Sequence, residues 1–227
     1  MVTGENFFAS RSFCPKCKKI IAWYDNIPII SWIILKAKCR NCKGTISALY
    51  PFIELLTAVS MTALYLTAPK QYFFAYFIFF SALLITIRTD IEYMLISRFT
   101  TLFLIPISCI FSYFGFLPIT LTGSLLGILL GYGFLFAASK IFYYLRKKEG
   151  LGQGDLELLA LIGAFLGPAG CWISLFLGSI AGSIYGLVYM IICKNKDEKL
   201  PFGHFLALGA MCYVLFGQYL QRLILGF

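Results

Sequence analysis

The chain has 227 residues, of which 60% are hydrophobic and only 13% charged, whereas soluble domains carry roughly 25% charged residues. Its mean hydropathy of +0.84 points the same way, to a polytopic membrane protein rather than one or two soluble domains. The formal net charge of +9 suggests nucleic acid at first sight, but the basic residues are gathered in particular segments between apolar runs, as membrane topology and lipid headgroup contact require.

Residues 1–47 stand apart from the rest. They hold Cys14-Pro15-Lys16-Cys17 and Cys39-Arg40-Asn41-Cys42, a spacing of two knuckles that suits a zinc ribbon. Each knuckle offers two thiolates to one face of a tetrahedral ion, and four thiolates leave no open position, so such a metal is structural. Two disulfides or a redox pair are the alternatives, and a cytoplasmic location disfavours stable disulfides. Between the knuckles, Asp25-Asn26 before Pro28 marks a turn, and the flanking apolar runs suggest short strands. A module this small needs a staple to fold. The polar, cysteine-bearing N-terminus gives no sign of a cleavable signal peptide.

From residue 48 onward the expectation is all-α, with seven membrane spans at Ala48–Thr67, Gln71–Ile87, Phe99–Leu117, Leu121–Tyr144, Asp155–Gly170, Cys171–Cys193 and Phe202–Leu225. Residues 48–227 thus form one helical membrane domain behind the small 1–47 module. Gly123, Gly127, Gly131 and Gly133, and then Gly163, Gly167, Gly178, Gly182 and Gly186, recur at similar spacing and are read as close-approach points between helices. Lysines and arginines crowd the segment before the first span and the segments that follow the second, fourth and sixth. That asymmetry places the N-terminal module and those segments in the cytoplasm. No internal repeat is strong enough to claim.

The acidic residues number ten and are quickly searched. Asp90 closes one apolar run, and Asp155 opens another behind Glu149-Gly150-Leu151-Gly152-Gln153-Gly154. Ionisable groups at membrane helix ends are expensive and invite a functional explanation. Paired carboxylates that share a proton split into a base and an acid, and a water between them attacks a peptide carbonyl. Asp155 as a helix cap after a flexible Gly-x-Gly linker is the simpler alternative. Glu54 lies one turn into the first span, and Glu92, Glu149 and Glu157 lie near the two aspartates. The lone histidine, His204, supports neither a Ser/His/Asp set nor a histidine-rich metal hydrolase site.

Taken in order, Cys14-Pro-Lys-Cys17, Trp23-Tyr-Asp-Asn-Ile-Pro28, Ser31-Trp32, Cys39-Arg-Asn-Cys42, Tyr50-Pro-Phe-Ile-Glu54-Leu55, Asp90-Ile-Glu92, Gly152-Gln-Gly-Asp155 and Pro201-Phe-Gly-His-Phe-Leu-Ala-Leu208 resemble the type IV prepilin peptidase family over nearly the whole chain. The resemblance implies an inner-membrane aspartic endopeptidase with Asp90 and Asp155 as the catalytic pair, supported by Gly152, Gly154, Glu54 and Glu92. It implies prepilin or pseudopilin substrates cut after glycine at the cytoplasmic face, with S-adenosylmethionine as methyl donor for the new N-terminus. It also links the metal ligands Cys14, Cys17, Cys39 and Cys42, with zinc, to that second step. The chain departs from the family pattern in four places. Thirteen residues precede Cys14 where the family has a further membrane helix, the usual Leu-Pro-Asp-like segment reads Leu95-Ile96-Ser97-Arg98, Glu157 replaces a lysine, and His204 replaces a proline. Glu157 is expected to raise the proton affinity of the pair. The competing functions are a transport protein or a scaffold with a zinc-ribbon docking module, or a family member that has lost one of the two activities; transport acids belong near mid-membrane, and the presence of both aspartates weighs against the last.

Overall fold

A computed structural model describes residues 12–147, 152–193 and 201–225; Glu149 lies outside them. Contacts divide the chain into two compact units, Met1–Val59 and Ser60–Phe227, with the division inside one helix. The helices are α1 (Ile30–Ile34), α2 (Leu49–Thr67), α3 (Lys70–Tyr93), α4 (Arg98–Tyr113), α5 (Leu121–Arg146), α6 (Gln153–Cys193) and α7 (Gly203–Leu225).

In the first unit no strand forms among the described residues. The expected strands shrink to two isolated bridges, Phe13 to Ile20 and Lys38 to Thr45. The two knuckles are copies of one hairpin. Cys14 N–H donates to Lys19 O and Cys14 O accepts from Lys18 N; Cys39 N–H donates to Gly44 O and Cys39 O accepts from Lys43 N. Lys18 and Lys43 both take φ 58°. The turn is so tight that only one residue pair is left to bridge on each hairpin, which is why strands do not develop. A 3₁₀ turn, Trp23–Asn26, and α1 fill the space between the hairpins. Their polar groups tie them to both: Asn26 Nδ2 donates to Ser12 Oγ (3.1 Å), Arg40 grips Asp25 through two bonds of 2.7 Å, and Trp32 Nε1 donates to Ile46 O (3.3 Å).

In the second unit the core lies where α3, α6 and α7 meet. Phe79, Phe80, Leu83 and Ile87 of α3 and Leu206, Ala207 and Ala210 of α7 are buried with every residue of α6 from Leu156 to Leu166. Phe79 and Phe165 stack at 4.6 Å. The outward faces carry exposed Leu, Ile, Phe and Tyr, such as Leu129, Phe103 and Ile191, the surface a lipid-facing bundle presents. Among the described residues four helices are long and apolar enough to cross a membrane, and α4 and the described part of α7 are shorter apolar helices.

The longest helix, α6, is two helices. Gly167 takes φ 70° and ψ −173° ahead of Pro168. Cys171 Sγ lies 4.0 Å from Leu159 O, 12 residues earlier, whereas a continuous helix would separate them by roughly 18 Å. The chain therefore folds back at Gly167, which only glycine does at low cost. The break falls three residues before the boundary expected from sequence. With it, α2 to α7 supply the seven expected helical segments. Two expected packing glycines hold α5 against the first half of α6: a Cβ on Gly127 would strike the backbone of Gly163, and the reverse. Gly133 has nothing within 4 Å and is no packing point.

Candidate active site

Asp90 sits in the last turn of α3, which closes when Met94, in a left-handed conformation, donates its N–H to Asp90 O. The carboxylate is turned inward and is 4% exposed. It faces the start of α7. His204 N–H donates to Asp90 Oδ2 at 2.8 Å, and His204 Nδ1 lies 3.0 Å from the same oxygen. The first N–H groups of a helix have no partner within the helix and carry its positive dipole end. Asp90 therefore caps α7 from across the bundle.

Asp155 is in the first turn of α6 and half-buried. Its N–H donates to Gly152 O at 3.2 Å. Gly203 brings the two carboxyl groups into one place. A Cβ built on Gly203 would lie 3.3 Å from Asp155 Oδ1, 3.3 Å from Asp90 Cγ and 2.6 Å from Ile96 Cδ1. The carboxyl groups thus flank one small space, roofed by an apolar side chain. A Cβ on Gly154 would meet Ile96 Cβ at 2.8 Å, and one on Gly152 would lie 3.3 Å from Asp155 Oδ2. The two glycines expected to support Asp155 are therefore points of close approach to Ile96 and to Asp155 itself.

Glu157, buried two residues on, is held by Arg98 Nε at 2.8 Å and lies 3.3 Å from Thr101 Oγ1. The expectation of a bare negative charge beside Asp155 needs correction, because Arg98 from α4 answers that charge. Glu92 pairs with Arg88 one turn back, with Arg88 Nη2 at 2.8 Å. Glu54 belongs to the first unit. Its Oε2 accepts from Ile29 N at 2.7 Å and so fixes a β-branched residue at φ 63°, a conformation that needs support.

The four cysteines Cys14, Cys17, Cys39 and Cys42 converge, with their sulfurs all within 4.8 Å of one another. Cys14 Sγ and Cys42 Sγ are 3.9 Å apart, against about 3.8 Å between sulfurs around a tetrahedral zinc. None is in a disulfide. Backbone N–H groups of Cys17 and Lys16 bring the Cys14 thiol down to about 6. Those of Cys42 and Asn41 lower the Cys39 thiol in the same way. The donor set, four thiols of which two are predisposed to ionise, fits one tetrahedral metal ion.

Two family models match the chain: the bacterial peptidase A24 N-terminal domain over residues 2–68 and the type IV leader peptidase family over residues 77–187. A prepilin leader peptidase/N-methyltransferase of Aeromonas salmonicida is 34% identical over 220 residues, which span 96% of this chain and 75% of that protein. The chain belongs to the type IV leader peptidase family. An Escherichia coli relative, a type 4 prepilin-like proteins leader peptide-processing enzyme, is 34% identical over 94% of this chain and 77% of its own length. A prepilin leader peptidase/N-methyltransferase of Legionella pneumophila is 32% identical over 98% of this chain and 78% of that protein. No solved structure matches the chain.

For a member of this peptidase family, the placement of the acids disfavours a transport role: Asp90 and Asp155 sit in terminal helical turns, away from mid-helix. Sequence reasoning did not single out Gly203, Ile96 or the Arg98–Thr101–Glu157 set as site residues. Gly203 lies inside the quoted Pro201-Phe-Gly-His motif, but a tight approach to two distant carboxyl groups leaves no trace in local sequence.

Proposed function

We propose that the chain removes the leader peptide from prepilins and pseudopilins with Asp90 and Asp155 as a two-carboxylate dyad. The observation that carries this is the position of both carboxyl groups against Gly203. Like charges at such range do not both ionise, so the pair holds one proton. The ionised aspartate takes a proton from a water held between the two. The resulting hydroxide adds to the scissile carbonyl carbon as the protonated aspartate gives its proton to the carbonyl oxygen. The tetrahedral adduct then breaks its C–N bond, and the amine leaves with the proton the first aspartate had taken.

The relatives named as N-methyltransferases support a second step on the freed N-terminal amine. When bound, S-adenosylmethionine would supply the methyl group: its S–CH3 bond would break, leaving the thioether, as the amine forms the N–C bond and sheds a proton. Cys14, Cys17, Cys39 and Cys42 would hold zinc in a closed four-thiolate shell whose role is structural. On this reading the protein lies in the bacterial inner membrane with the dyad at the cytoplasmic face, and the distribution of basic residues supports it. Arg88, Arg98, Lys140 and Lys147 lie at the helix ends near the dyad's own position in the chain, as positive-inside topology asks.

The test is incubation of the purified protein with a peptide of basic leader, glycine, phenylalanine and apolar segment. Mass spectrometry should find one cut after the glycine, and a further gain of one methyl group only when S-adenosylmethionine is added. An uncut peptide in a lipid environment where the protein stays folded would overturn the peptidase assignment.

A further inference from the structure

The two aspartates of the dyad do not have equal surroundings, and the difference comes from His204. One oxygen of Asp90 receives both the backbone N–H and the imidazole Nδ1 of His204, at 2.8 Å and 3.0 Å. The ring is buried with 9% exposure and packs on Phe205 at 3.9 Å between centroids, so its orientation is set. An Nδ1 that faces a carboxylate oxygen carries the proton. Asp155 has the Gly152 backbone beside its carboxyl group and is half-exposed.

We propose that His204 is a positioning residue that decides which aspartate of the dyad is ionised: its Nδ1–H holds Asp90 as the carboxylate and leaves the shared proton on Asp155. The inference rests on the dyad assignment above. Hydrogen bonds to a charged form favour that form, and two donors on one oxygen outweigh a single neighbour. The positive end of α7 acts in the same direction. Asp90 therefore accepts the proton of the attacking water, and Asp155 protonates the carbonyl oxygen. Among the described residues, the ionisable groups that face His204 are Asp90 from α3 and Asp155 from α6. Tyr185 of α6 meets Phe205 instead, and Arg98 and Glu157 are bound to each other.

The dyad is active with one proton, so the acidic limb of the kcat/KM profile reports the pair as it gains a second. Donors on Asp90 hold that limb at low pH, and loss of one moves it upward. Two amide variants separate the role of the donor from that of bulk. In His204→Asn the amide nitrogen stands where Nδ1 stands; in His204→Gln it stands nearer Nε2. The acidic limb of peptide cleavage is expected near its wild-type position in H204N and about one pH unit higher in H204Q, a roughly tenfold loss of kcat/KM on that limb. KM on the plateau is expected to be little changed. Coincident acidic limbs in H204N and H204Q, or a limb unmoved in both, would overturn the proposal. Near-wild-type cleavage by Asp90→Asn would instead overturn the dyad assignment, and so the two failures are told apart. Melting curves of both variants, and cleavage by H204N itself, separate loss of fold from loss of the donor.

Discussion

The cysteine module and the carboxylate site are built by opposite routes. In the module, each ligand pair sits on a hairpin closed by its own nearest backbone groups, and the same bonds recur around Cys14 and Cys39. In the carboxylate site, the ends of α3, α6 and α7 meet, and Asp90 and His204 bond across 114 residues of chain. A local route makes a cluster of four thiols that fits a metal ion. A long-range route makes a site that only a packed bundle can complete, and there each helix terminus supplies what another lacks: Asp90 caps α7, while Gly203 makes room for both aspartates.

The largest expected effects test that separation. Asp90→Asn and Asp155→Asn should each lower cleavage by at least roughly a thousandfold, because a dyad with one member works poorly. Zinc content should stay unchanged. Conversely, Cys39→Ser should strip the zinc, on the order of 10 kcal/mol of binding free energy for a structural site, and loosen residues 12–47 to proteolysis. It should impair methylation before cleavage. Elemental analysis, limited proteolysis and product masses on the same preparations decide this. Zinc loss in the aspartate variants would show that the two sites are not built independently.

Gly203→Ala comes next. The added methyl group must displace Ile96 or push the carboxyl groups apart, and misplacement on the order of 1 Å can cost roughly a hundredfold in rate. Cleavage should fall by about that factor while the melting temperature moves little. Unchanged cleavage would mean that the space beside Gly203 is not where the reacting groups lie.

Much of this was legible beforehand. The four cysteines announced one site because their spacing is itself the hairpin, and all seven helical segments followed from apolar length. Asp90 and Asp155 stood out because charges are scarce at membrane helix ends. The fold-back at Gly167 was placed at Gly170–Cys171, since a Gly-Pro pair inside an apolar run does not reveal how sharply the chain turns. The strands expected in the module did not form because composition cannot reveal how tight a knuckle will be. The partner of Glu157 was hidden for a different reason: Arg98 lies 59 residues away, and only the α4–α6 contact pairs them.

That pair predicts a smaller effect, on stability. Glu157 is 6% exposed and Arg98 64% exposed by side chain. Arg98→Ala leaves a buried carboxylate with Thr101 as its remaining hydrogen-bond partner among the described residues, at a cost of about 1–3 kcal/mol. Glu157→Gln leaves an arginine that water already reaches and should cost less. Thermal unfolding in detergent should therefore rank R98A below E157Q. The reverse order would mean that Arg98 is not what stabilises Glu157.

The smallest effect concerns Glu92. It was expected to support the site, yet its carboxylate is tied to Arg88 one turn away, and both side chains are about a third exposed. Pairs of this kind contribute about 0.3–0.5 kcal/mol. Glu92 also lies two residues from Asp90, on a helix end that a basic leader would approach. Attraction between such surface charges aids capture more than chemistry and is screened within roughly 8–10 Å at physiological salt. Glu92→Gln should therefore raise KM for a basic leader peptide by no more than about threefold at low ionic strength, an effect of the size of one exposed pair. The change in kcat should be negligible, and added salt should erase the difference from wild type. A large fall in kcat that persists at high salt would place Glu92 among the reacting groups and move the boundary of the site two residues along α3.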